Sequence, residues 1–515
     1  MASVFLDGFD KYGQVGTTST VGILNTWLSQ NYTSIGLGGA NGALSLVSSL
    51  NGVGGAALSF FGGSSGVGFT SIVKQLAPNM ARCIGGFRFS IINAAAIHGI
   101  VFRDLSLNQF AITLNTDLTI SWRSGGATSS TGQTVAAPSL ALSSIHYLEW
   151  DVTIGAASPY NVYLDGALIM SGTGNSKAGS TNSYVNSFSI GNQAASNSGP
   201  QITIDDLYIF DGTTSFCNAP LLTSPVVETK YPSSDAQTQF TNGASLLGLT
   251  ANITNSSNAP GANELVLVKV VPGATVNITG INAFTVAASA TAKFKPVIYA
   301  DSGGSPNGQA RIAVGNETIG CTTTQATMTF AAPVSLTGGT TYWIGYITDT
   351  SIAVLESSTA TTGVKAVNTY TAGAPATCPT VTVGQVAWEI WGVCSGSTVN
   401  WVSENRNPTD GDNSYIFSST AGNEDLYHLP ALITVPTNIY TVAAYCNARK
   451  SDSGARTLDI RCKSGATDSA GSNPGIALGT SYFWLASEFD TDPNTGAAWT
   501  NTAFGNATFG PKVAT

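Results

Sequence analysis

"YNVYLDGALI", Tyr160 to Ile169, is a run of aromatic, aliphatic and β-branched residues interrupted by Asp-Gly. It reads as a strand of ordinary length. Short runs of the same kind surround it: "FRFSII", "FAITLN", "LTISWR", "HYLEWDVTI", "SFSIG" and "ITIDDLYIFDG", each bounded by Gly, Asn, Ser or Asp. No helical period lies between them, so the first 220 residues are expected to form an antiparallel sandwich.

The rest of the chain carries the same signature. Charged residues make up only 10% of it, and Gly, Ser, Thr, Ala and Asn fill the gaps between apolar runs. That is the composition of stacked sheets joined by turns. At 515 residues the chain exceeds one ordinary core, and three domains are expected.

Net charge excludes one class of partner. At −9, with no basic cluster to offset it, the chain lacks the electrostatic footprint of a nucleic-acid-binding surface. The opening "MASVFLDGFDKYG" has neither a basic nor an apolar leader region, and no apolar run has the length of a membrane span. A soluble protein without membrane insertion is expected. The seven cysteines include no CxxC pair, which disfavours zinc. Cys446 and Cys462 flank a turn at Asp452–Gly454 and could face each other across a hairpin; reduced, packed thiols are the preferred reading.

Several stretches resemble known families. "YNVYLDGALI" with "SFSIGN" and "ITIDDLYIFDG" resembles the closing strands of laminin-G-like, concanavalin A-type jelly rolls. "FLDGFDKYG", with Trp27 downstream, is similar to the start of a family of tailed-bacteriophage virion proteins. "YPSSDAQTQFTNG" and "NWVSENRNPTDGDNSY" resemble adjoining parts of a second phage structural module, yet residues 244–398 separate them here. Within that interval, "IYADSGGSPNG" and "SLTGGTTYWIGY" are similar to accessory sandwich modules of surface and adhesin-like proteins. The expected fold is therefore all-β, with three antiparallel, jelly-roll-like β-sandwich domains. They would span 1–220, 221–243 plus 399–515, and 244–398, the last inserted within the second.

The resemblance implies a non-enzymatic structural component of a tailed-phage virion, either a tail fibre, a tail appendage or a capsid-surface protein. It implies a host-cytoplasm origin, other virion proteins as partners, and a symmetric homo-oligomer such as a trimer. A host-surface glycan is the further partner, and no cofactor is expected. The alternative is a glycan-binding adhesin; a polysaccharide-degrading enzyme stands third.

Counting an EF-hand loop from Asp410 puts Tyr415 where Gly is required and Ala421 where a bidentate Glu is required, so that reading fails. Asp410 and Asp412 remain calcium candidates of a looser kind, as do the adjacent Asp205 and Asp206, for which hydrogen bonding to a neighbouring loop is the preferred role. In "HYLEWDVTI", Glu149 and Asp151 match two places of a retaining-glycosidase signature, but Thr153 or Ile154 stands at the third. The competing reading puts both acids on a solvated face, with Leu148, Trp150 and Val152 inward.

"GGSSG" from Gly62 to Gly66 matches a nucleophile elbow in letters only. His98, His146 and His428 are assigned to packing or surface hydrogen bonds, none in a triad-like setting. Tyr160, Tyr163, Tyr342, Trp343, Trp388 and Trp391 would stack on sugar rings if exposed. Strand alternation sets Tyr342 against Trp343, and Trp388 against Trp391, so one of each pair is expected to pack inward.

Overall fold

The computed structural model describes the chain apart from residues 1–2, 14–22, 38–42, 63–69, 137–139, 193–198, 215–216, 224, 249–256, 259, 273–274, 323–324, 358–362, 384–386, 396–399, 401–414 and 434. It is an all-β structure of antiparallel sheets. Two compact units are formed, Met1–Lys230 with His428–Thr515, and Tyr231–Tyr427.

The first unit opens with β1 (Ser3–Asp7), helix α1 (Ile23–Ser29), β2 (Ser34–Gly36), β3 (Ala43–Ser48) and β4 (Ala56–Gly62). Next come β5 (Ser71–Met80), β6 (Arg82–Ile91), β7 (His98–Asp104), β8 (Leu107–Leu114), β9 (Thr119–Ser124) and β10 (Gly132–Ala136). The jelly roll closes with β11 (Ile145–Thr153), β12 (Ser158–Leu164), β13 (Ala167–Gly174), β14 (Val185–Asn192) and β15 (Gly199–Phe210). One sheet runs β13-β12-β11-β6-β15-β4-β3, with β1 also paired to β15; the other runs β10-β9-β8-β7-β14-β5-β2.

Alternation along these strands builds the core. Phe60, Phe87, Phe89, Trp150 and Ile204 of the first sheet meet Ile72, Phe102, Phe110, Ile112 and Phe188 of the second, all in one apolar cluster. Phe102 stacks on Phe110 at 4.8 Å and lies 5.5 Å from Trp150. Stacked or tilted aromatic pairs at such spacings hold two sheets at a fixed separation.

The opening motif "FLDGFDKYG" has a structural use. Phe5 joins the core, and the buried Asp7 accepts hydrogen bonds from Phe9 N (2.8 Å), Lys11 Nζ (3.0 Å), Tyr12 Oη (2.6 Å) and Tyr32 Oη (2.8 Å). A buried carboxylate is tolerated when its oxygens are saturated in this way.

The chain leaving β15 does not depart from the jelly roll. It folds back over the outer face of the first sheet, where Cys217 and Leu221 pack with Ile84, Tyr147, Tyr208 and Phe210. Residues 428–515 also belong to this unit, as do residues 221–230. Tyr445 Oη donates to Leu6 O at 2.6 Å, Trp484 N to Gln30 O at 3.1 Å, and Lys11 Nζ sits 4.3 Å from the Tyr445 ring centre. There, Val442–Ala448 pairs with Phe483–Phe489, while Thr457–Ser464 pairs with Thr508–Val513. Cys446 and Cys462 thus lie on differently paired strands and do not face each other across one hairpin.

In the second unit, Ser289–Ala300, Tyr342–Thr348, Glu264–Val270 and Gly363–Val367 form the centre of one sheet. Ala326–Leu336, Val276–Ala283 and Ile390–Ser395 form the centre of the other. Val266, Phe294, Ile344, Ile278, Ile281, Met328 and Ile390 fill the space between them. Within this unit, Thr241–Gly248 pairs with Tyr415–Phe417, and the buried Asp425 accepts from Phe240 N (2.7 Å) and Asn400 Nδ2 (2.6 Å).

Candidate functional site: the outer strip of the first sheet

Strand β11 presents Glu149, Asp151 and Thr153 to one face, and cross-strand register sets their neighbours. Glu149 lies between Tyr163 and Gly86, and Asp151 between Asn161 and Ile84. Asn161 in turn faces Ser171, and Tyr163 faces Leu168 on β13.

Half of this face is closed. Glu149 is fully buried, which corrects the expectation of a solvated acid. Its carboxylate accepts from Tyr208 Oη (2.6 Å), Leu221 N (2.9 Å) and Leu222 N (3.0 Å). Burial raises its pKa, and these hydrogen bonds oppose the rise. Alternation placed Glu149 on the outer face correctly; the returning segment around Leu221 took that face out of water.

The other half, towards β12 and β13, is open. Arg82 grips Asp151 in a two-point pair, Nε to Oδ1 at 2.8 Å and a terminal nitrogen to Oδ2 at 2.7 Å. Asn161 and Tyr163 are half-buried beside this pair, and Ser171 is exposed. The Tyr163 hydroxyl is held above its ordinary pKa by burial first, then by the charges of Asp151 and Glu149. An aromatic ring, a planar guanidinium–carboxylate pair, an amide and a hydroxyl therefore share one strip.

Of the six aromatics, Tyr163 alone is half-buried rather than buried. Tyr160 lies inward, stacked face to face on Trp122 at 4.1 Å. Tyr342 and Trp343 do face opposite ways, but both faces of their sheet are covered: Tyr342 enters the core between the sheets, and Trp343 packs beneath residues 370–378 with Nε1 on Asp301 Oδ1 at 2.7 Å. Trp388 and Trp391 are buried as well. Burial withdraws the other five from contact with a sugar.

The paired acids of β15 are anchors. Asp205 accepts from Ser49 Oγ (2.7 Å) and Leu50 N (2.8 Å); Asp206 accepts from Arg88 Nε (2.8 Å), Asn51 Nδ2 (3.1 Å) and Val227 N (2.8 Å). A bulge with Asp206 at φ 49° turns both carboxylates towards these donors. Burial raises both pKa values, and the charge of Asp206 adds to the rise at Asp205. With the oxygens taken by donors and Arg88 alongside, neither is disposed to hold calcium. Asp410 and Asp412 lie outside the described residues, as does most of "GGSSG". Among the described residues, no group of three or more His, Cys, Asp or Glu is placed to hold a metal ion.

The histidines differ from one another. His98 is buried between Asn192 Oδ1 (3.0 Å) and Asn93 O (2.9 Å), as expected of packing, and His428 is exposed. His146 departs from expectation. Its Nδ1 lies 2.8 Å from Asp165 Oδ2 and its Nε2 lies 2.7 Å from Ser144 Oγ, the hydrogen-bonding order of a serine triad. Residue spacing offered only Ser-x-His; the pairing of β11 with β12 brings in Asp165 from the Asp-Gly turn.

No family model matches the chain, and no curated protein does. Solved structures similar to it include the endo-β-1,4-glucuronan lyase of the fungus Trichoderma reesei, at 13% identity over 36% of this chain and 93% of that one, with a TM-score of 0.28. The galectin LEC-6 of Caenorhabditis elegans matches at 13% identity over 29% and 94%, with a TM-score of 0.21. The alginate lyase Aly36B matches at 7% identity over 41% and 97%, with a TM-score of 0.29. At these values the likeness carries no functional weight, and function rests on the residues.

Proposed function

We propose that the protein is a glycan-binding β-sandwich protein whose first unit recognises sugar on the strip around Tyr163. The observation that carries this reading is the half-buried Tyr163 beside the Arg82–Asp151 pair and Asn161. A tyrosine face matches the apolar C–H side of a sugar, and planar paired groups match vicinal hydroxyls. Binding at this strip proceeds without cleavage of a glycosidic bond. Glu149 is committed to Tyr208 and the 221–222 amides and Asp151 to Arg82, so neither serves as nucleophile or as acid/base.

A glycan array with the full chain, followed by calorimetry on the best ligand, tests the reading. Tyr163→Ala is expected to weaken binding at least about 10-fold, as loss of one stacked ring does. Absence of any bound glycan, or equal affinity in the variant, would overturn it. Release of reducing sugar would overturn the non-cleaving part.

We further propose the setting: a structural and attachment component of a tailed-phage virion, assembled with other virion proteins as a symmetric homo-oligomer such as a trimer. What supports this setting is the sequence resemblance at both ends of the chain. Density for the chain in an intact particle tests it, and a particle lacking the chain refutes it.

A further inference from the structure

At the β12–β13 turn, two residues beyond Tyr163, three polar groups line up. Asp165 stands in the β12–β13 turn at φ 50°, and its Oδ1 accepts from Tyr147 N at 2.8 Å, which fixes the carboxylate. Its Oδ2 meets His146 Nδ1 at 2.8 Å. The imidazole is buried against the Phe89 ring, 5.8 Å between centres, so its orientation is set from both sides. His146 Nε2 then reaches Ser144 Oγ at 2.7 Å, on a turn that is open to solvent. A base oriented by a third group and bonded to a hydroxyl is the arrangement that activates a serine.

Two further features lie in the same turn. Ser143 adopts φ 61°, an unusual conformation for a residue with a side chain. Large apolar side chains are exposed around it: Leu142 at 51%, Ile145 at 50% and Ile92 at 38%, the last beside Ile91, whose carbonyl accepts from Ser143 N at 2.7 Å. Apolar groups left in water around a hydroxyl suit an apolar acyl group.

We propose that Ser144 is a nucleophile towards carboxylic esters bearing small apolar acyl groups, with His146 as its base and Asp165 as a positioning residue. Ser144 Oγ bonds to the acyl carbon while its proton passes to His146 Nε2. The ester C–O bond breaks, and the departing alcohol takes that proton. Water then attacks the acyl-serine, gives a proton to His146, and releases the carboxylic acid as Ser144 Oγ recovers the proton. In the resting arrangement the single hydroxyl proton has two acceptors, His146 Nε2 and Ala141 O at 2.5 Å, and rotation about Cβ–Oγ selects between them. The amides of Ala141, Ser143 and Ser144 are spent on Ser144 Oγ, Ile91 O and Ala141 O. None of these three stabilises an oxyanion, a contribution worth about 10²–10³ in rate elsewhere. Activated esters, rather than amides, are the expected substrates.

The test uses the full-length protein, a fluorophosphonate probe and p-nitrophenyl acetate. One phosphonyl adduct per chain, mapped to Ser144 by peptide mass spectrometry, is expected. Ser144→Ala should abolish it, and His146→Gln should slow it about 100-fold, the usual worth of a general base. Asp165→Asn keeps an acceptor for Tyr147 N–H; it should lower kcat for p-nitrophenyl acetate at least 10-fold with KM unchanged, whereas a merely structural role would leave kcat intact. Circular dichroism verifies that each variant is folded. An unlabelled Ser144 in the folded wild-type chain, or equal labelling of folded His146→Gln, would overturn the proposal.

Discussion

Truncating Glu149 and Asp151 separately, two residues apart on β11, should give very different results. Glu149→Ala leaves the Tyr208 hydroxyl and the Leu222 amide without their acceptor beneath a closed surface, while Leu221 N keeps the Tyr208 oxygen at 3.2 Å. Each stranded donor costs roughly 1–3 kcal/mol, so the lower bound for two is about 2 kcal/mol. For a unit of this size about 2 °C of melting temperature corresponds to each kcal/mol, which makes the expected fall at least about 4 °C. Asp151→Ala removes a pair whose side chains are 36% and 17% exposed, and a surface pair is worth at most about 1 kcal/mol. Its melting temperature should stay within about 2 °C of the parent. Circular-dichroism melts at neutral pH, together with limited proteolysis of residues 217–222, measure both effects. Equal melting temperatures for the two variants would refute the reading of Glu149 as the anchor of the covering segment.

Three further outcomes are expected. Asp7→Ala strands Lys11 Nζ and the Tyr12 and Tyr32 hydroxyls, and should destabilise the first unit by roughly 3–5 kcal/mol, read as a loss of folded yield or a lower melting temperature. Gly166→Ala places a side chain at φ 80° with its Cβ 2.7 Å from Leu222 O, costing about 1–2 kcal/mol and loosening the covering segment, which proteolysis would report. Burial holds Glu488 at about 7 and Asp10 at about 6, above their unfolded values near 4. Between about pH 4 and 7 the folded chain therefore keeps protons that the unfolded chain has released, and stability should fall as pH rises through this window. Melting temperatures at pH 5 and pH 7.5 check the sign, and Glu488→Gln should flatten the slope.

Strand content and the sandwich class were legible because they depend on local alternation and local backbone preference. The same alternation set Tyr342 and Trp343 on opposite faces, yet both proved buried. A strand pattern distinguishes two faces without saying which is covered; residues 370–378 cover one of them and the opposing sheet covers the other. Long-range grouping is decided in a related way. Residues 428–515 carry ordinary strand signals, and it is the Tyr445–Leu6 and Trp484–Gln30 contacts, more than 400 residues apart in sequence, that join them to the jelly roll.

By itself the sequence determined an all-β chain of sandwiches with an incomplete glycosidase signature, since these follow from residue type and spacing along one strand. Tertiary structure alone decided that Glu149 is an anchor, that Tyr163 stays half-buried where the other five aromatics are buried, and that Ser144, His146 and Asp165 meet. The physical reason is common to all three. Burial and hydrogen-bond partnership are set by segments arriving from elsewhere, here the chain around Leu221 and the register of β12 against β11. Nothing in the ten residues from Tyr160 to Ile169 states what will lie across from them.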